Sequence, residues 1–184
     1  MKHQQPALRI IGGKWRSRKV SFADQAEVRP TGERIRVTLF NWLMHDISGA
    51  RCLDLFSGSG ILGIEALSRG ASGVTFIEQH EEIAAQLNNN LALLQADQFD
   101  LLTTEAIAYI KATDQVFDII FLDPPFGKNH LQQAVNIISE RLLSSSFVYI
   151  ESESASAFDS LPHNWRIYRQ KKAGWVNYGL ITMP

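Results

Sequence analysis

From Arg51 onward the chain alternates, with little interruption, between short apolar runs and longer segments of helical period. "RCLDLF", "GVTFIE", "FDLLTT", "VFDIIFLD" and "SFVYIES" read as strands. Between them lie the helical "ILGIEALSRG", a stretch from about Glu81 to Ala96 with Ile83, Leu87, Leu91 and Leu94 on one face, the short "EAIAYIK", and "HLQQAVNIISERLL". Strands that are nearly continuous in apolar residues must be buried on both faces, which requires helices above and below a parallel sheet. The pattern therefore predicts an α/β fold with an open, doubly wound, Rossmann-like sheet and right-handed crossovers.

The two ends depart from this alternation. "NWRIYRQKKAGWVNYGLITMP" holds two strand-like runs with no helix between them, so an antiparallel hairpin is expected at one sheet edge. Before Arg51 a helix is expected from Glu33 to Ile47, with Ile35, Leu39, Leu43 and Ile47 facing the core and Thr31 as its N-cap. Ahead of it "ALRIIGGKWRSRKVSF" places two apolar runs around a basic turn, the pattern of a small hairpin or arm. A length of 184 residues suits one domain. No run approaches the ~18 apolar residues of a membrane helix, and "MKHQQPALRI" lacks the apolar centre of a secretory signal, so a cytoplasmic protein is expected. The lone Cys52 excludes an internal disulfide and a cysteine-cluster metal site. The histidines show no ligand spacing, so no metal is expected.

Charge is unevenly spread. Residues 1–36 carry nine Lys/Arg against three acids, while the remaining 148 carry nine basic against sixteen acidic residues. A polyanion would be drawn to the first segment and not to the rest. A solvated basic edge with no partner fits the same numbers.

"LDLFSGSGILGIEAL" sets Gly58, Gly60 and Gly63 in G-x-G-x-x-G spacing between a strand and a helix. Glycine permits the sharp turn and lets a ligand lie against bare main chain. Glu78 closes the next strand, the place from which a carboxylate grips ribose hydroxyls. A dinucleotide would set its pyrophosphate on the helix N-terminus, whereas S-adenosylmethionine, with its sulfonium and ammonium, wants an acid beside the glycine turn. Asp54 supplies that acid and favours the methyl donor.

"VFDIIFLDPPF" drives an apolar strand into a stiff corner of Asp123, Pro124, Pro125 and Phe126. Parallel strands all end at one sheet edge, so this corner is expected beside the proposed sulfonium. An exocyclic amine on a nucleobase is a poor nucleophile because its lone pair is delocalised. Hydrogen bonds from that amine to the Asp123 carboxylate and the Pro124 carbonyl would turn the lone pair toward a methyl group. Phe126 would offer a stacking face, and the base would have to be unpaired or flipped to reach it. A strand-terminating proline turn is the alternative use of the same residues.

"DLFSGSG" with "DPPF" resembles the class I S-adenosylmethionine-dependent methyltransferases that modify exocyclic amines. "LRIIGGKWRSRKV", "VRPTGERIRVTLFNWL", "LDLFSGSGILGIEALSRGA" and "FDIIFLDPPF" are similar to the RsmD family, which methylates the 2-amino group of a guanine in bacterial 16S rRNA. The likeness runs from Leu8 to about Glu151 and loosely into "KKAGWVNYGL". It implies a basic arm and helix over 1–50 packed on a methyltransferase domain over 51–184, in one compact unit. Asp54, Phe56, Gly58 and Gly60 would frame the methionine end of the cofactor, Glu78 the ribose and Gln79 the adenine. Glu105-Ala106 stands where the family usually has Asp-Ala against the adenine amino group. Asp123, Pro124, Pro125 and Phe126 would hold the target amine and base. Arg29, Thr31 or Arg34 is expected near the mouth of the site. Lys14, Arg16, Arg18 and Lys19 around Trp15 suit phosphate contacts with one stacking ring, although Trp15 could equally pack the arm onto the domain. The implied partner is 16S rRNA or the assembling small subunit, with no metal and a monomeric enzyme. A DNA adenine or protein glutamine N-methyltransferase and a non-catalytic RNA-binding module are the rival readings.

Overall fold

In the computed structural model, which describes residues 6–22, 30–125, 129–141 and 147–183, seven strands share one sheet. Five are parallel and come from the alternating region: β3 (Arg51–Asp54), β4 (Gly73–Glu78), β5 (Phe99–Thr103), β6 (Ile119–Leu122) and β7 (Phe147–Ser152). The tail forms the expected hairpin of β8 (Arg166–Ala173) and β9 (Val176–Thr182), with β9 antiparallel to β7 and β8 at the outer edge. Strand order is β5-β4-β3-β6-β7-β9-β8, so connections run one way from β3 and the other way from β6. The gap between the ends of β3 and β6 is thus the switch point, where open sheets hold their ligands.

Alternation within each strand feeds two cores. Cys52, Ile119 and Phe121 face the layer of α1 (Glu33–Trp42), α2 (Ile61–Ser68) and α3 (Glu81–Leu94). Leu53, Ile120 and Leu122 face α4 (Ala106–Ala112) and α5 (His130–Arg141). The continuous apolar runs follow from this two-sided burial. Among the described residues no helix is long and apolar enough to cross a membrane.

Every residue of α2 is buried, including Glu65 and Ser68, and these two polar side chains dock the N-terminal segment. Glu65 Oε1 accepts from the Arg36 guanidinium on α1 at 2.5 Å and from the Ile11 amide at 2.9 Å. Its other oxygen pairs with Arg69. Arg36, only 1% exposed, also donates to the carbonyls of Thr31 and Arg9. The Ser68 hydroxyl donates to the Gly12 carbonyl and accepts from the Trp15 amide, while the Lys14 amide donates to the Ser68 carbonyl. Gly13 is obligatory at this crossing: its φ is +75° and a Cβ would lie 1.8 Å from the Ser68 carbonyl oxygen. Beyond the crossing, β1 (Ala7–Arg9) and β2 (Lys19–Ser21) pair antiparallel, as the arm pattern predicts.

Three expectations need correction. Helix α1 stops at Trp42 and not at Ile47; the chain turns there so that Leu43 and Ile47 both enter the core before β3 begins. Gly32, not Thr31, is its N-cap residue, and no side chain caps the helix. Trp15 is buried in the core under the arm, so packing and not a surface platform is its place in the fold.

A carboxylate with no exposure serving three donors leaves a buried guanidinium unpaired when removed. Glu65→Ala should therefore cost about 3–5 kcal/mol in urea unfolding. Asp114→Ala, which breaks the surface pair with Arg141, should cost less than about 1 kcal/mol.

Candidate active site

The register of β3 and β6 brings the two sequence-distant acids together. Asp54 lies opposite Phe121, two residues before Asp123, and the Leu55 amide donates to the Phe121 carbonyl. After Asp54 the chain turns through Gly58 and Gly60, both with positive φ, into α2. A Cβ on Gly60 would lie 2.3 Å from Leu87, and one on Gly63 would lie 2.2 Å from Phe76. The first glycine thus serves the turn and the third the close packing of helix on sheet.

Asp54 is fully buried, and its Oδ2 accepts from the Gly63 amide at 3.0 Å. Burial pushes its carboxyl up to about 8; the Gly63 bond opposes this, and the nearby Asp123 and Glu78 charges reinforce it. At the end of β4, Glu78 Oε2 accepts from the Gly58 amide at 2.9 Å, and Oε1 accepts from the His80 amide. The same carboxylate therefore braces the glycine turn and faces the cleft. After β6, Asp123 Oδ2 accepts from the Thr31 hydroxyl at 2.9 Å, across 92 residues of sequence. Thr31 sits just before α1, so the N-terminal segment reaches the site through this bond.

A cleft of about 580 Å³ opens between these elements. Asp54, Phe56, Gly58, Glu78, Gln79, Glu105, Ala106, Asp123, Pro124 and Pro125 all line it. Gly60 stands behind the wall at the start of α2. Phe126 and Arg29 lie outside the described residues. Arg34 is exposed on α1 and does not line the cleft, whereas Thr31 does. Lys14, Arg16, Arg18 and Lys19 are all exposed on the arm, away from the cleft walls. The Lys14 amine lies 4.5 Å above the Trp15 ring, and Arg18 donates to the Leu93 carbonyl of α3.

Residues not singled out in the sequence complete the walls. His130, at the start of α5, meets Phe56 edge to face at 6.1 Å; Glu151 comes from β7, Glu153 from just beyond it and Trp175 from the β8–β9 turn. Among the described residues the lining carries six carboxylates (Asp54, Glu78, Glu105, Asp123, Glu151, Glu153) and no Lys or Arg. Such a surface repels a pyrophosphate and attracts a cation, which separates the two cofactors that the glycine spacing left open. The donor set fits S-adenosylmethionine: acids for its sulfonium and ammonium, and Glu78 at the strand end that grips a ribose.

The comparisons with known proteins agree with this geometry. The family described as Conserved hypothetical protein 95 matches residues 8–182. "Ribosomal RNA small subunit methyltransferase D" of Escherichia coli (strain K12) is 42% identical over 175 residues, 94% of this chain and 88% of that protein. The protein of the same name from Haemophilus influenzae is 40% identical over 94% of this chain and 92% of its own. The solved structure "Putative methyltransferase yhhF from Escherichia coli" superposes with a TM-score of 0.89 at 40% identity, covering 97% of this chain and 98% of that one. The chain therefore belongs to the RsmD family of methyltransferases, built on an α/β Rossmann-like sheet with an antiparallel C-terminal hairpin.

Proposed function

We propose that this protein transfers a methyl group from S-adenosylmethionine to the exocyclic 2-amino group of a guanine in small-subunit (16S) ribosomal RNA. The observation that carries the reading is that Asp54 and Asp123, at the ends of β3 and β6, line one acidic cleft at the switch point. The names of the relatives with 40% identity or more support ribosomal RNA as substrate over DNA or protein.

When bound, S-adenosylmethionine supplies a methyl group on a positively charged sulfur, already activated for attack by nitrogen. The chain's own task is placement and electrostatics. Asp54, Phe56 and Gly58 frame the methionine end, with Gly60 setting the turn; Glu78 holds the ribose, and Gln79, Glu105 and Ala106 the adenine. Glu105 is exposed immediately before α4, which gives its longer side chain room to reach. Asp123 accepts from the target amine while Thr31 fixes the carboxylate's rotation. Pro124 and Pro125 hold the backbone of the corner rigid, so the acceptors are aimed before the base arrives. Phe126 and Phe56 offer faces to the base and cofactor. The exposed cations Lys14, Arg16, Arg18 and Lys19, with Arg34 exposed on α1, draw in the phosphate backbone, and Arg29 is assigned the same role. The reaction belongs in the cytoplasm, where ribosomes assemble.

Asp54 gives the site a pH signature. In the cofactor-free fold it keeps its proton up to about pH 8, against 3.8 without the fold's influence. The folded state then binds more protons than the unfolded chain in that window, so stability falls as pH rises through it and levels above it. A cation beside Asp54 favours the carboxylate and expels the proton, so cofactor affinity should rise with pH up to about 8. Calorimetry near pH 7 in buffers of different ionisation enthalpy should register proton release for the native protein and none for Asp54→Asn. Equal release in both would remove Asp54 from the cofactor's surroundings.

In single-turnover assays Asp123→Ala should lower the rate of methyl transfer at least about 10²-fold. Thr31→Val should lower it about tenfold through misplacement of the acid. Cofactor affinity should hold in both, and its loss in Asp123→Ala, with transfer per bound enzyme intact, would contradict this role.

Mass mapping of 16S rRNA from cells lacking the protein should show one missing methyl group, on a guanine, restored by the native gene and not by Asp123→Ala. An unchanged methylation map would refute the substrate.

A further inference from the structure

An anionic substrate that must place one base in a cleft walled by carboxylates needs a positive guide outside it. The arm supplies charge on one side of the sheet. The structure holds a second concentration of charge that the totals hide. Seven consecutive residues of β8, Arg166 to Lys172, carry four cations and no acid, and all are exposed. The rest of the chain beyond residue 36 holds only five basic against sixteen acidic residues.

β8 forms one outer edge of the sheet and, among the described residues, pairs with β9 alone. Two antiparallel steps from β7 make it run in the same direction as the parallel strands, so its last residues reach the edge where the cleft opens. Ala173 and Trp175 line that cleft, and Trp175 is 54% exposed. Arg169 and Lys171 lie opposite Leu180 and Tyr178, so they stand on the face covered by α1, the same face that carries the arm. The exposed Tyr168 ring lies beneath the Arg169 guanidinium at 5.0 Å. Charged edge strands also discourage strand addition. That role calls for no exposed tyrosine under an arginine and no tryptophan at the cleft mouth.

We propose that β8 and the turn after it form a second RNA-docking surface, a basic track of about 26 Å. It holds the RNA backbone along the outer edge of the sheet, on the face that also carries the arm, and delivers the target segment past Trp175. The track's cations contact phosphates, and Trp175 stacks on a base at the mouth. The partner class rests on the proposed RNA substrate, but docking is read by binding alone.

The experiment compares native protein with Arg166→Gln/Arg169→Gln/Lys171→Gln/Lys172→Gln, with Trp175→Ala, and with Lys14→Ala/Arg16→Ala/Arg18→Ala, using a 16S rRNA transcript over a salt series. The β8 variant should bind at least about tenfold more weakly and show a log K against log salt slope shallower by about 2 to 3. The arm variant should lose a comparable amount independently, and Trp175→Ala about fivefold with an unchanged slope. S-adenosylmethionine affinity should be native in the β8 and arm variants, and urea unfolding should be native in Trp175→Ala, which certifies the fold. Native affinity and slope in the β8 variant overturn the proposal. So does a defect confined to binding an assembled particle and absent on bare RNA, which would assign the edge to a protein partner. A native protein that binds RNA through β8 yet transfers no methyl to it would leave the docking surface standing and remove the catalytic reading.

Discussion

Glu65, buried in the middle of α2, accepts from Arg36 on α1, from the Ile11 amide of the arm and from Arg69 one turn along. Burying a carboxylate and a guanidinium costs several kcal/mol apiece unless their donors and acceptors are matched. Here desolvation, with a smaller push from the Arg69 charge, lowers the Arg36 pKa, and the Glu65 charge and hydrogen bond pull it back. The junction therefore tolerates only one arrangement of arm, α1 and α2. Its reach extends to the chemistry, because the guanidinium that pairs with Glu65 also holds the Thr31 carbonyl, and the Thr31 hydroxyl meets Asp123. Anchoring of the N-terminal segment and orientation of the corner acid are thus one connected network.

The site works against its own stability. Asp54, Glu78 and Asp123 crowd one end of the sheet; burial above all, and then the Asp123 and Glu78 charges, make Asp54 hard to ionise. Such a concentration of like charge in a fold is a usual mark of a binding site, tolerated because a cationic ligand relieves it. The same acidity poses a problem for nucleic acid, whose phosphates are repelled by the walls that welcome the cofactor. Under the proposed reading, positive charge outside the cleft, on the arm and along β8, would resolve the conflict by holding the backbone while a base enters.

Much of this was legible in one dimension. Continuous apolar strands interleaved with amphipathic segments dictate a parallel sheet, and parallel strands put the residues after β3 and β6 at one edge. That ground alone places Asp54, Gly58 and Asp123 together. Thr31 and Trp15 were not legible in the same way. A threonine before a helix serves as a cap or as a donor to something distant, and only the position of Asp123 decides between them. A tryptophan among cations suits either a stack or a core, and the Ser68 crossing buries it. The four cations of β8 vanished into a net negative total because charge counting has no geometry.

What the sequence determined by itself was local and periodic: which segments form strands and helices, where glycine and proline interrupt them, and which acids end the strands. Tertiary structure alone decided the pairings across long separations: Glu65 with Arg36, Thr31 with Asp123, Trp175 with the cleft mouth. The physical reason is that hydrophobic period is written in neighbouring residues, whereas a hydrogen bond between distant segments exists only once the sheet's order and register bring them within 3 Å or so of each other.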